Sequence, residues 1–568
     1  MKFSIKKVFY PKIISSLKHY TKERFLTDVM AGVIVGIVAI PLAIAFGIAS
    51  GVGPTEGLVT AVIAGFLISL FGGSKVQIGG PTGAFIVIIY GIIQQYGIAG
   101  LTIATLMAGV LLILMGVFKL GNVIKFVPYP VVIGFTAGIA LTIFSTQMND
   151  LFGLGLTGVP ANFIDKWICY AHNFSSVNWW ALGIGVISLL IIITTPKISK
   201  KIPGSLVAIV FVTALVWVLK NFAGIEGLQT IGDLYNLPSG LPSPKIPQLN
   251  LATGQSLFGL IQQLFPAAFT IAILGAIESL LSAIVADGVI GDKHNSNTEL
   301  IGQGIANLVV PFFGGIPATG AIARTMTNIN NGGRTPVAGL VHALVLLLVL
   351  LFLGRLVGLI PMACLAGVLI VVSYNMSEWR TIVALSKNPK SDFAVMLVTF
   401  ILTVVFDLTI AIEVGLLLAI VLFLKRTNES TSIKVFYDEI DPNDEVDMDI
   451  TNDQDVLTIP DEVNVYEIDG PYFFGIANKF DEIMKTVGDL PKVRIVRMRK
   501  VPFIDSTGLH NLETLCKQSR RDGVNVILSG VNPFVHEALV KVGLDKLIGV
   551  ENICPSINLA LDRANELL

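Results

Sequence analysis

Gly79-Gly80-Pro81-Thr82-Gly83-Ala84 and Gly315-Ile316-Pro317-Ala318-Thr319-Gly320-Ala321 interrupt long apolar stretches, and each follows a Phe-Gly-Gly, at Phe71 to Gly73 and Phe313 to Gly315. A membrane helix gains nothing from clustered Gly, Pro and Thr unless its backbone is meant to break there. A broken helix at membrane depth is tolerated only where it lines a cavity or is buried in protein. Matching interruptions in two halves of a hydrophobic chain point to a transporter binding site. The pair therefore predicts a solute carrier whose site lies where the two broken segments meet.

Composition supports a membrane protein. Hydrophobic residues make up 53% of the 568 residues and charged residues 14%, with mean hydropathy +0.76. A soluble domain is about a quarter charged, so most of the chain is expected in lipid. The net charge of −1 hides an uneven distribution, with acids crowded into 438–461 and bases punctuating short loops. No basic face suggests nucleic acid. The basic segment from Met1 to Arg24 lacks a cleavage site, and the first apolar run continues as a long helix. Cys169, Cys364, Cys516 and Cys554 are scattered, without CxxC spacing, which argues against a metal or disulfide framework. The six histidines show no ligand spacing either. No cofactor is expected.

Fourteen apolar runs fall near 27–49, 55–72, 76–94, 100–118, 126–147, 179–195, 203–220, 258–286, 298–313, 318–330, 336–353, 359–374, 391–407 and 409–424. The positive-inside rule tests this count. With the basic N-terminus inside, the loops after even-numbered runs carry Lys75, Lys119, Lys125, Lys197, Lys200, Lys201, Lys293, Arg334, Arg380, Lys387 and Lys390. The opposite loops carry only Lys166, Lys220, Lys245 and Arg355. Both termini are then cytoplasmic. Seven runs per half invert the second half, and the Phe-Gly-Gly…Thr-Gly-Ala echo falls in runs three and ten, matched positions of inverted repeats.

After Lys425-Arg426 an acidic stretch leads into a different module. Val463–Ile468, Val493–Met498 and Val524–Ser529 read as strands. Phe480–Val487, Leu509–Ser519 and Pro533–Val542 read as helices. Strands alternating with helices predict a small α/β domain. The expected divisions are a cytoplasmic basic segment 1–24, a transmembrane domain 25–426, an acidic linker 427–455 and the α/β domain 456–568.

Several motifs, in order, resemble the sulfate permease (SulP) family. They are Phe25-Leu26-x-Asp28-Val29-x-Ala31-Gly32, Ile40-Pro41-Leu42-Ala43-Ile44-Ala45-Phe46-Gly47, Pro128-Tyr129-Pro130-Val131-Val132-x-Gly134-Phe135 and Asn295-Ser296-Asn297-x-Glu299-Leu300. The C-terminal module is similar to a STAS domain, marked by Ile504-Asp505-Ser506-Thr507-Gly508. The resemblance spans nearly the whole chain. It implies a mainly α-helical polytopic membrane protein with fourteen spans as seven-plus-seven inverted repeats, split into core and gate, with a cytoplasmic STAS domain. It also implies a homodimer in the cell (plasma or inner) membrane.

The expected substrate site is Thr82, Gly83, Ala84, Thr319, Gly320, Ala321 and Arg324. Two broken spans aim helix N-termini at one point, each with about +0.5 charge and unpaired N–H donors. Thr82 and Thr319 can add hydroxyl donors, although small residues also serve close helix packing. Arg324 reads as fixed positive charge behind the anion, with a structural ion pair or a snorkelled side chain as the alternative. Glu278 reads as a proton-coupling carboxyl or a countercharge to Arg324. Sodium held by Glu278 and Ser282 is the second choice, and apolar Ile322 departs from sodium-coupled bicarbonate carriers. In phosphorylated STAS domains the acceptor position corresponds to Thr507, so Ser506 and Thr507 are the regulatory candidates, with a plain helix cap as the alternative. Gly153-x-Gly155-x-x-Gly158 matches a dinucleotide fingerprint without a βαβ unit and reads as an extracellular loop.

The sequence thus predicts a secondary active carrier of small anions, sulfate first with proton symport, working by alternating access in the lipid bilayer. Bicarbonate, chloride or a C4-dicarboxylate is the runner-up substrate. The competing class is an anion channel or a sensor that signals to a cytoplasmic partner through the STAS domain. An enzyme is not expected, because no nucleophile, base and acid converge within one segment.

Overall fold

The computed structural model describes residues 9–122, 127–160, 162–198, 203–222, 225, 227–236, 240–244, 257–387, 389–406, 408–437, 439–440, 457–476 and 491–568. The Phe480–Val487 helix, the acids of 441–455 and Lys125, Lys200, Lys201 and Lys245 lie outside the described residues. Two units are found, Met1–Ala419 and Ile420–Leu568.

The first unit is helical. Its elements are α1 Lys22–Ala49, α2 Pro54–Phe71, β1 Gly79–Gly80, α3 Ile86–Val117, α4 Tyr129–Thr146, α5 Phe163–His172, α6 Trp179–Ile198 and α7 Gly204–Phe222. The second half contributes α8 Leu257–Ile290, α9 Ser296–Val309, β2 Thr319–Gly320, α10 Ile322–Asn330, α11 Pro336–Phe352, α12 Met362–Met376, α13 Lys390–Val405 and the first part of α14 Leu408–Ser430. Among the described residues, eight helices are long and apolar enough to cross a membrane, and α11 is a shorter apolar one. Leaving out the ten-residue α5 and counting α3 as two, the named helices make fourteen segments, several of them short. Gly97 divides it at φ 65°, ψ −169°, a conformation natural only to glycine. Runs three and ten are broken as expected, and α10 keeps nine residues, about 14 Å, roughly half a bilayer core.

Packing reveals the repeat. α11 lies against α1 and α2, while α3 lies against α8 and α9. Likewise α13 packs on α4 and α12 packs on α6. Exchanging the halves maps each contact pair onto its counterpart, the signature of inverted seven-plus-seven repeats. The first set of contacts forms a core group (α1–α3 and α8–α11) and the second a gate group (α4, α6, α7, α12–α14). In the core group α3 and α9 approach so closely that a Cβ on Gly109 would stand 2.9 Å from the Gly304 carbonyl. Only small residues allow such contact, which replaces the absent hydrophobic drive between helices in lipid.

The second unit contains β3 Ser432–Phe436, β4 Val463–Asp469, β5 Val493–Lys500, α15 Ser506–Arg521, β6 Asn525–Ser529, α16 Pro533–Val542, β7 Ile553–Cys554 and α17 Ile557–Leu567. The sheet runs β3-β4-β5-β6-β7, parallel except for edge strand β3. Alternation sorts its side chains. Val493 and Ile495 pack with Ile557 and Leu561 of α17, whereas Val496 and Met498 pack with Leu512 of α15 and Leu539 of α16. Edge strand β3 and helix α17 were not foreseen from sequence. All four cysteines are free, and burial pushes the Cys516 thiol up to about 12, leaving it inert.

Candidate functional site

The two glycine-rich interruptions pair with each other. Gly79 faces Gly320 and Gly80 faces Thr319 in an antiparallel two-residue ladder, extended by the Ala321 N–H donating to the Ile78 carbonyl at 3.0 Å. A helix leaves each strand end, so the N-termini of α3 and α10 both abut this ladder. Their free N–H groups and dipole ends concentrate positive potential there.

The two ends differ. Thr82 caps the turn before α3, its hydroxyl accepting from the Ala84 N–H at 3.3 Å. Ala321 precedes α10 and provides no side-chain cap. The first-turn N–H groups of α10 have no helical acceptor, and Ile322 and Ala323 there are exposed. The α3 end also borders the gate group: a Cβ on Gly83 would lie 2.9 Å from Met376 Sδ of α12 and 3.4 Å from Ile143 Cδ1 of α4.

Arg324 is buried, 2% exposed. Its Nη2 donates to the Pro81 carbonyl at 2.5 Å and its Nη1 reaches the Gly79 carbonyl at 3.5 Å. It turns back under the ladder and does not snorkel. Glu278 of α8 faces Thr82 and senses the Arg324 charge, and its Oε2 has no hydrogen-bond partner. Among the described residues no direct ion pair joins Glu278 to Arg324. Thr82, Glu278 and Arg324 therefore converge, as do Gly83, Ala84, Gly320 and Ala321 through the ladder.

Two predicted donors are already engaged. The Thr319 hydroxyl donates to the Gly275 carbonyl at 2.8 Å and meets Ser279 Oγ at 2.5 Å. Ser282 donates to Thr325 Oγ1 at 3.2 Å, and Thr325 Oγ1 in turn accepts from the Ile78 N–H at 3.1 Å. Both side chains hold the ladder against α8.

Further supports were missed from sequence. Asn307 clamps Ala318, accepting its N–H at 2.9 Å and donating to its carbonyl at 2.8 Å. Glu299 accepts the N–H groups of Gly73 at 2.7 Å and Ser74 at 3.0 Å, and receives Gln303 Nε2 at 2.9 Å. Thr60 accepts the Ile316 N–H at 2.8 Å, and Gln77 Nε2 reaches the Ser279 carbonyl at 3.1 Å. A signal existed: Glu299, Gln303 and Asn307 recur every four residues, a polar stripe on one face of an apolar helix.

A separate polar cluster lies at the join of α8 and α9. His294 Nδ1 lies 2.6 Å from Asp287 Oδ2, and Ser296 Oγ lies 3.0 Å from His294 Nε2. Asp287 also accepts the His294 N–H at 2.8 Å, and Ser296 opens α9. The cluster ties the two helix ends together.

In the second unit, Asp505 caps α15 by accepting the Gly508 N–H at 2.8 Å, and it also accepts the Phe474 N–H at 3.2 Å. Ser506 and Thr507 follow it, both exposed.

Residues 25–399 match the Sulfate permease family model and 456–560 the STAS domain model. The chain is 43% identical to the "Putative sulfate transporter YvdB" of Bacillus subtilis over 94% of its own length and 97% of that protein's. The transmembrane domain of a cyanobacterial bicarbonate transporter, BicA, is 31% identical, with a TM-score of 0.61 over 71% of this chain and 98% of that one. Murine Solute Carrier 26 family member A9, an anion transporter solved in the inward-facing state, shares the fold at TM-score 0.86 and 19% identity, over 100% of this chain and 95% of that one. Matched over both its helical repeats and its C-terminal sheet, the chain belongs to the sulfate permease family and carries a STAS domain.

Proposed function

We propose that this chain is a secondary active transporter of small inorganic anions, sulfate first, with proton symport, working by alternating access of the core group against the gate group. The observation that carries the reading is the uncapped N-terminus of α10 meeting that of α3 across one ladder, with the Arg324 guanidinium behind it. An anion completes the missing cap, and it is bound by N–H donors that need no reorganisation. Substrate contacts are assigned to Thr82, Gly83, Ala84, Gly320, Ala321 and Arg324, with Thr319 holding the ladder. Gly83 lying against Met376 and Ile143 supports a site at the seam between core and gate in this reading.

Glu278, with an orphan oxygen beside Thr82, is the proton carrier in this reading. Ser282 is committed to Thr325, which favours a proton over sodium. Bicarbonate is the second substrate, favoured by the 31% identity to a bicarbonate transporter; chloride and C4-dicarboxylates follow. The transport path belongs to 25–426, in a homodimer in the cell membrane with both termini cytoplasmic. Ser506 and Thr507 are the exposed positions where a kinase or cytoplasmic regulator would act on the 456–568 domain.

The test is uptake of radiolabelled sulfate, bicarbonate, chloride and fumarate by proteoliposomes at two pH values, with and without sodium. Sulfate accumulation above its external concentration under an inward proton gradient, without sodium, is expected. Downhill flux alone would establish a channel instead, since a channel cannot concentrate its substrate.

A further inference from the structure

A cavity of about 400 Å3 with mixed polar and apolar walls lies away from the ladder, where α1 ends and α4 gives way to α5; on the positive-inside topology this is the outer face. Its charged lining is Lys166 and Asp150, with Tyr90, Gln147, Asn149 and Tyr235 among its polar walls. Lys166 belongs to α5, a helix outside the spanning segments, whose start is capped by Asn162 accepting the Ile164 N–H. It is 2% exposed, and among the described residues its ammonium has no ion pair or hydrogen bond. Three of its polar neighbours are engaged elsewhere, and Asp150 Oδ1 accepts from Asn149 Nδ2 at 3.4 Å. Tyr90 donates to the Val159 carbonyl at 2.9 Å, Gln147 Nε2 donates to Thr146 Oγ1 at 2.9 Å, and the Asn149 amide brackets Leu156.

An unpaired buried cation is costly and persists only for a reason. The cavity it lines is roomy and has both polar and apolar walls. We infer that Lys166 is the cation of a second, outer anion site, which gathers a small inorganic anion before it reaches the ladder. This rests on the reading of the chain as an anion carrier. Burial lowers the ammonium to about 8, so it stays mostly charged near neutral pH while being poorly solvated. Such a charge gains much from an arriving anion, because burial has already removed part of its water. The Lys166 site adds a recruiting step and leaves the ladder chemistry untouched.

The experiment uses the full chain in proteoliposomes. Membrane-impermeant sulfosuccinimidyl acetate is added outside, and acetylation of Lys166 is followed by peptide mass spectrometry with sulfate, bicarbonate, chloride or, as control, gluconate. At least one of the three inorganic anions should slow acetylation severalfold relative to gluconate. Lys166→Gln should raise the half-saturating outside concentration for uptake about tenfold with maximal rate unchanged, and Lys166→Arg should restore it to within about threefold. Efflux measured from the inside should keep its half-saturation. Equal acetylation in all four salts, or an unshifted outside half-saturation in Lys166→Gln, overturns the inference. Protection does not require transport, so protection without accumulation would refute the carrier reading and leave this site standing.

Discussion

The Arg324 guanidinium of the second repeat donates to the Pro81 carbonyl of the first at 2.5 Å. The cation behind the candidate site therefore also cross-links the two broken segments. Charge and architecture are joined in one side chain, and this shapes what its removal should do.

Arg324→Ala is expected to weaken anion binding at least tenfold. It should also destabilise the helical unit by about 1–3 kcal/mol, because a buried carbonyl loses its donor. Arg324→Lys should recover affinity more than stability, since a point charge keeps the positive potential but cannot reproduce the two-carbonyl fork. Calorimetric titration with sulfate, alongside thermal melts, separates the two effects. Wild-type affinity in a folded Arg324→Ala protein would make the residue purely structural.

Glu278→Gln keeps the shape of a protonated carboxyl. It should retain sulfate exchange at near wild-type rate yet lose accumulation driven by a pH gradient. Counterflow and gradient-driven uptake in the same vesicles check this. Continued concentration of sulfate under a proton gradient, sodium absent, would show that the proton travels elsewhere.

Asn307 never touches the proposed anion, but it holds both polar groups of Ala318. Asn307→Ala should cost about 2–4 kcal/mol of stability, since two buried backbone groups are orphaned. It should also lower anion affinity by loosening the ladder. Asn307→Asp keeps the acceptor and loses the donor, so an intermediate melt is expected.

Lys166 predicts a pH dependence with a definite sign. Its folded value is lowered to about 8 from 10.5, by burial. The unfolded chain therefore binds more protons between those values, and stability rises with pH across that window. The penalty is fully present below pH 8. Lys166→Met should then stabilise the helical unit at pH 7 by up to roughly 3 kcal/mol, a gain that fades toward pH 10.5. Melts of both proteins at pH 7 and pH 10 test it, and a constant difference would disprove it.

Removing residues 438–568 should leave measurable anion uptake while lowering dimer stability or membrane abundance, because every residue of the ladder site lies before Ala419. Uptake normalised to folded protein decides this. A well-folded truncation unable to bind any anion would contradict it.

Much of the molecule was legible in the chain because its signals are local or periodic. Apolar run lengths, basic loops and the paired Gly-Pro-Thr interruptions marked fourteen segments, the break points and the inverted repeat, since lipid forbids unsatisfied backbone outside a helix. Strand alternation likewise marked β4, β5 and β6, although the short edge strands and the last helix carried too little pattern to announce themselves.

Partner choice was not legible, because a hydrogen bond between residues 243 positions apart, such as Arg324 and Pro81, leaves no trace in either segment. Sequence placed Thr82 and Thr319 in equivalent roles. Tertiary structure separated them, leaving Thr82 at a helix cap beside Glu278 and consuming Thr319 between Gly275 and Ser279. The same holds for Arg324, whose type and depth could be read from the chain but whose turn toward Pro81 depends on the ladder being formed. Sequence by itself determined which residues sit at the breaks; the fold decided which of their polar atoms remain free, because only three-dimensional packing assigns each buried donor its acceptor.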